Sequence, residues 1–448
     1  MLFFFLLPNS FTFAQNSQIL KTILLRDFSA QVLTSKEKIL YFLLLFFFFA
    51  LYMPGISWLY NVAMWLFFVY SFFFNTLTEK WALLKRRKEI ILMLSFFLLN
   101  LISALLSSNQ KEGIAFAGFR IGLLVIPLAI GTLYIKPILK DRIIFAFAVA
   151  TACAATGSII WALFQSVKYH DASLLYNDNL SVILNLQSIY FAMMINLAIF
   201  SFVYLLVKKS GLINKSLLAP ALLILFVVHF LLASRIGIII LYSAIFIFAT
   251  QHIIRNRKIL EGVTLIMGLL LGIFLLLKFF PKTINRFKEL TYTKFDFKSE
   301  GKESHFNVAL TADQWNGANV RMAVWQCAWA VTKNNLLFGT GIGDKMDVLR
   351  KEYAKNQFTV GVKTNRNVHN NYLDVWMSLG LVGFIIFLIG FFILPVFRCL
   401  QTNDWYGIAI IAAFMLALFS ESYMDRTMGN TLLGFFLAFI SSYKKPSQ

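Results

Sequence analysis

Two arginines, a histidine and a pair of asparagines are the residues whose types could do chemistry at a membrane surface. They are Arg235 in Ser234-Arg-Ile-Gly237, Arg321 in Arg321-Met-Ala-Val-Trp-Gln-Cys-Ala-Trp329, and His369-Asn-Asn371. Arg235 breaks two apolar runs, and a guanidinium there must snorkel to water, pair with a charge or meet a ligand. Two such groups converging on a pyrophosphate make forked, charge-assisted hydrogen bonds and neutralise the charge that develops as it leaves. A histidine side chain titrates near neutrality, ordinarily at about 6.5, and at a helix N-terminus the dipole opposes protonation. His369 is therefore suited to take a proton from a sugar hydroxyl. Plainer roles stay open: a polar hairpin turn at Arg235, a solvated helix position at Arg321, an interfacial cap at His369. Asn370 and Asn371 either orient a sugar or cap the helix that follows, capping being the commoner use.

Further candidates surround these. Arg120 lies within the fourth apolar segment and either lines a donor cavity or snorkels. Tyr190, Glu421, Asp425 and Arg426 sit near apolar segment ends, with Glu421 the reserve base. Gly339, Gly341 and Gly343 match neither a P-loop nor a dinucleotide fingerprint and read as a tight turn. Gly380 and Gly383 read as sites of close helix packing. No DxD, no HExxH and no carboxylate cluster occurs, so nothing calls for a bound metal or another cofactor.

The elements that must position these residues are membrane helices. With 59% hydrophobic and 14% charged residues over 448 positions, the chain carries more apolar surface than a soluble core could hide. Apolar runs of spanning length fall at about 39–54, 56–77, 89–107, 114–135, 143–165, 183–207, 217–233, 236–252, 259–280, 371–397, 405–420 and 429–443. The expected fold is all-α: a polytopic bundle of about twelve transmembrane helices, with one long, mostly helical loop domain between the ninth and tenth. Residues 1–38 form an N-terminal cytoplasmic or interfacial segment, because the apolar Met1–Leu7 is cut short by Pro8 and lacks a basic region before it. Helices one to nine occupy 39–280, the loop domain 281–369, and helices ten to twelve with a basic tail 370–448.

Alternate short loops collect the lysines and arginines, such as Lys80/Lys85/Arg86/Arg87/Lys88 and Lys136/Lys140/Arg142, which puts both termini inside and the long loop outside. The net charge of +20 follows from this orientation and not from nucleic-acid binding. Within the loop domain, Asn319 to Lys333 has helical spacing, with Val320, Val324, Cys327, Ala328 and Val331 on one side. The three cysteines lie far apart and read as packing residues. Ionisable groups are sparse near the expected midplane and the halves show no internal repeat, which disfavours a transporter.

Taken in order, the Arg235 turn, the Arg321 helix, the Leu337–Asp344 glycine turn and the His369–Phe384 run resemble the O-antigen ligase and O-antigen polymerase family. The resemblance covers about Leu232 to Phe384 by motif and the rest by helix count and hydropathy. It implies a multi-pass glycosyltransferase of the bacterial inner membrane with its active site facing the periplasm and surrounded by membrane lipids. The implied donor is an undecaprenyl pyrophosphate-linked glycan, and the acceptor lipid A-core, or another glycan or a protein. By the same resemblance Arg235 and Arg321 match the family's pyrophosphate-binding arginines and His369 its catalytic histidine, acting without metal or nucleotide sugar. A flippase for lipid-linked oligosaccharide and a non-catalytic scaffold are the competing classes.

Overall fold

The computed structural model describes residues 33–53, 55–56, 58–257, 259–279, 287–299, 301 and 314–443. The apolar N-terminus through residue 32, parts of the long loop and the tail pair Lys444 and Lys445 lie outside the described residues.

Each of the twelve apolar segments falls on a helix or on a helix with a local break. Five helices are long and apolar enough to cross a membrane: Lys88–Leu106, Gln110–Ala129, Pro137–Tyr169, Ser188–Val207 and Asn371–Gln401. They become six if one bent pair counts as a single span, and shorter apolar helices of 10–17 residues accompany them. The protein is thus a polytopic helical membrane protein. The Gln110–Ala129 span is interrupted at Arg120, whose φ of −92° and ψ of 3° end one helical stretch before the next begins. The Asn371–Gln401 span is broken at Gly380, with φ 66° and ψ −170°, and passes through a π-helical turn at Ile389–Ile393.

The chain divides into two compact units, one from residues up to Thr76 with Tyr134–Leu232, the other from Leu77–Leu133 with residues from Ala233 on. In the first unit, Thr34 starts the Ser35–Ala50 helix through a capping box in which Glu37 accepts the Thr34 N–H at 2.8 Å. That helix packs edge-on through Phe47 against Phe67 and through Phe48 against Phe147 of Pro137–Tyr169.

In the second unit, Arg87 belongs to a basic cluster expected to lie in a loop, yet it is fully buried. Its guanidinium donates to the carbonyls of Gly131 and Leu133 at 2.6 Å and of Ser442 at 3.1 Å, tying three chain segments together. The expected Asn319–Lys333 helix is observed over Asn319–Asn334. Its apolar side is buried with Trp315, Leu349, Tyr353, Phe358 and Val368 in a core that also takes in Met377 of the Asn371–Leu388 helix. Burial pushes the Cys327 thiol in this core, helped by nearby Glu352, up to about 12, so it is a packing residue and no nucleophile.

Candidate active site

Each candidate side chain is delivered by the end of an element. Arg235 is the first residue of the Arg235–Asn256 helix, whose N-cap Ser234 accepts the Gly237 N–H at 3.3 Å. Arg321 stands in the first turn of the Asn319–Asn334 helix. The start of that helix is fixed by Asn316, whose side chain accepts the N–H groups of Ala318 at 2.8 Å and Asn319 at 3.1 Å. His369 takes a left-handed backbone, φ 48°, directly before the Asn370 N-cap. Such a conformation is uncommon for a residue with a side chain and persists only where the surroundings hold it. Here two bonds hold it: the His369 N–H donates to Ser422 Oγ at 3.1 Å, and Trp325, one turn beyond Arg321, donates to the Val368 carbonyl at 2.9 Å.

The structure brings Arg235, Arg321, His369 and Glu421 together. Arg321 Nη2 donates to Glu421 Oε1 at 2.5 Å, and His369 Nδ1 lies 3.2 Å from Glu421 Oε2. Arg321 Nη1 also donates to the Gly317 carbonyl at 2.9 Å. A Cβ on Gly317 would stand 2.8 Å from Arg235 Nη2 and 3.5 Å from Arg321 Nη1, so the missing side chain is what lets two guanidiniums share this corner. Side-chain exposure is 27% for His369, 22% for Arg321 and 19% for Glu421, so the cluster is open to a ligand yet partly desolvated.

Burial pushes the Glu421 carboxyl up, but Arg321, the hydrogen bond and charge of His369, and Arg235 outweigh it and hold the group below the usual carboxylate range. Glu421 is therefore ionised and can only accept, which requires the proton of a neutral His369 to sit on Nδ1. Nε2 is then the nitrogen left to act as a base.

Next to this cluster, within reach of the His369 charge, lies a second, buried one. Lys345 Nζ contacts Asp374 at 2.9 Å and Asp425 at 2.8 Å, and Arg120 Nη2 lies 3.4 Å from Asp374 and 3.7 Å from Asp425. Arg120 also donates from Nη1 to Asn100 and from Nε to the Met424 carbonyl at 3.4 Å. Expected either to line a cavity or to snorkel, Arg120 has all three guanidinium nitrogens committed to protein atoms and no exposure. Burial raises the Asp425 carboxyl, and Lys345, Arg120 and His369 together bring it below its usual value.

Asn370 caps: its Oδ1 accepts the N–H groups of Tyr372 at 3.0 Å and Leu373 at 3.1 Å. Asn371 does not; its amide is buried and makes no hydrogen bond to the protein. Tyr190 is buried in the Ser188–Val207 helix of the first unit. The glycine turn is structural: it threads against the break at Gly380, where Thr340 N–H donates to Met377 O at 2.9 Å and Gly341 N–H to Ser378 O at 3.0 Å. Sequence reasoning missed Lys345, a lone lysine after a glycine turn with nothing to mark it as buried, and missed the orienting Ser422. It also treated Glu421 as a spare base, where the geometry makes it the partner of both His369 and Arg321.

Residues 220–388 match the family model described as O-antigen ligase. The matched stretch holds Arg235, Arg321 and His369 through Asn371, and ends before Glu421. No curated protein matches the chain.

Proposed function

We propose that the protein, whose residues 220–388 match the family model described as O-antigen ligase, transfers a glycan from an undecaprenyl pyrophosphate carrier to an acceptor hydroxyl, most simply that of lipid A-core. The observation that carries this reading is the convergence of two guanidiniums, an imidazole and a carboxylate at one partly open corner. The acceptor oxygen attacks the anomeric carbon while His369 Nε2 takes its proton. The bond from that carbon to the pyrophosphate oxygen breaks on the opposite side, inverting the centre, and the carrier pyrophosphate leaves with its charge held by Arg235 and Arg321. Pyrophosphate leaves readily, so one base and two cations suffice, without a metal.

Glu421 holds the imidazole in the working tautomer and stabilises it once protonated. Arg120, Lys345, Asp374 and Asp425 support the corner. Asn370 caps, and the Asn371 amide, fully buried and without a hydrogen bond to the protein, is not open to the sugar. The site faces the periplasm, both termini are cytoplasmic, and all twelve apolar helices cross the inner membrane with residues 281–369 as the periplasmic loop domain. A flippase would need a charged central passage, and Arg120, the residue that hinted at one, is fully paired.

The test is transfer by purified protein from undecaprenyl pyrophosphate-linked glycan to lipid A-core, with chelator present, beside His369→Ala and Arg235→Ala. Transfer by the unaltered protein alone supports the ligase. Lengthening of the carrier-linked glycan with no core product makes it a polymerase of the same chemistry, and absence of both products from folded protein sinks the enzyme reading.

A further inference from the structure

We propose that the Asn335–Asp344 turn, together with Trp329, is seated in the membrane interface on the His369 side, so that the loop domain has a lipid-binding foot. The partner is the layer of headgroups and upper acyl chains. This inference stands on the packing of the turn and does not depend on the reaction proposed above.

The first observation is exposure. Leu336, Leu337 and Phe338 are 46%, 58% and 81% exposed in succession, and Trp329, about two helical turns earlier, is 40% exposed. A run of large apolar side chains on a soluble loop is costly and calls for something to cover it. The second is level. The turn docks on the end of a helix long and apolar enough to span, since Ile342 N–H donates to Ser103 Oγ and Gly343 N–H to Ser107 Oγ, both at 3.0 Å. Ser103 is in the last turn of Lys88–Leu106 and Ser107 caps it, so the turn lies at the height where that helix leaves the membrane.

The third observation is the state of its backbone. Five consecutive N–H groups are paired: Gly339 to Asn335 O, Thr340 to Met377 O, Gly341 to Ser378 O, then Ile342 and Gly343 to the two serines. In return Leu381 N–H, freed where Gly380 breaks its helix, donates to Leu336 O at 2.8 Å. Irregular backbone is tolerated near hydrocarbon only when its polar groups are satisfied this way. The fourth is continuity. Trp329 meets Trp376 edge-on at 5.5 Å, Trp376 stacks on Phe384 at 5.0 Å, and the same spanning helix presents Val382 and Ile385 outward. The foot thus continues the exposed apolar surface of a helix long and apolar enough to span. Tryptophan is enriched at this depth, and Lys333, 5.7 Å over the Trp329 ring, adds a positive charge where phosphate headgroups lie.

The test replaces the exposed thiol in a Cys153→Ser background and attaches an environment-sensitive fluorophore at Phe338→Cys, with Lys355→Cys, 74% exposed on the neighbouring loop helix, as the control. In proteoliposomes, lipids carrying a spin label near the acyl carbonyl should quench the Phe338 probe several-fold more than the Lys355 probe, and aqueous iodide should do the reverse. Equal iodide quenching at both sites, with no lipid quenching, overturns the proposal. Shielding of the Phe338 probe from both quenchers also overturns it, because a second protein chain then covers the foot. Should Phe338→Cys not fold, Trp329→Cys carries the same comparison.

Discussion

At the scale of single residues, Glu421 decides which nitrogen of His369 is available. A carboxylate that is ionised and accepts from Nδ1 fixes the tautomer, and Arg321 on its other oxygen fixes the carboxylate. Glu421→Gln should therefore lower kcat on the order of 10–100-fold with little change in KM, since a proton-transfer group of this kind contributes about 10²–10⁴-fold and is only misoriented, not removed. His369→Ala should abolish turnover in protein that still inserts and folds. The same carboxyl gives a pH signature. Held below its ordinary value of 4.5, Glu421 binds fewer protons folded than unfolded. Its stabilising contribution is complete above that value and is lost as pH falls through the depressed one. Thermal unfolding followed through the acid range should show this loss in the unaltered protein and a weaker one in Glu421→Gln. The adjacent asparagines separate by the same logic. Asn370→Ala removes a cap and should cost about 1 kcal/mol. Asn371→Ala breaks no protein hydrogen bond and removes an unpaired buried amide, which offsets the small cavity it leaves, so it should lower Tm less than Asn370→Ala does; with the side chain fully buried KM should hold, and a raised KM would place Asn371 at the sugar.

At the scale of elements, the crossing of the glycine turn with the Gly380 break is the strictest requirement. Gly380 has φ 66°, and a Cβ there would stand 2.2 Å from the Leu337 carbonyl oxygen; a Cβ on Gly339 would stand 2.5 Å from the Gly380 nitrogen. Both backbones must separate to admit a methyl group. Gly380→Ala should cost roughly 2–4 kcal/mol, through strain and lost hydrogen bonds between the turn and the broken helix, read as a lower Tm. Gly383→Ala would set a Cβ 2.4 Å from the Leu379 Cβ, so that side chain must shift, but its helical φ adds no backbone strain and it should cost less than Gly380→Ala. The sequence disclosed the elements here better than their contacts. Each apolar segment picked out by hydropathy falls on a described helix, five or six of them long and apolar enough to span, and the spacing of Val320, Val324, Cys327, Ala328 and Val331 located the buried face of the Arg321 helix, because both are local periodicities. It took Gly380 for a packing site, because a broken helix and a close helix contact demand the same residue. The pairing of Glu421 with His369 joins positions 52 residues apart, and no local pattern encodes that separation.

At the scale of the whole site-bearing unit, the buried tetrad joins four parts of the chain: the break in the Gln110–Ala129 span, the start of the Lys345–Lys355 helix, the first turn of the Asn371 helix, and the loop after Glu421. Two cations and two carboxylates balance there, in contact with the Phe116 ring, over which Lys345 Nζ lies at 4.2 Å. Asp374 follows His369 by five residues and Asp425 follows Glu421 by four, so the tetrad sets the footing of both members of that pair. Removing one charge of a buried set strands its partner, at a cost of about 3–5 kcal/mol, whereas removing a cation and an anion together is far milder. Lys345→Met should therefore destabilise by about that amount and depress turnover with it. Adding Asp425→Asn to Lys345→Met restores the balance of one cation to one carboxylate and should recover most of the lost Tm. Arg120 then faces Asp374 alone at 3.4 Å, the nearer of its two carboxylates. If the double variant is instead the sum of two independent losses, the four groups do not act as one unit. A double variant that regains stability but not turnover would mean that the tetrad positions His369 and Glu421 as well as holding the helices together.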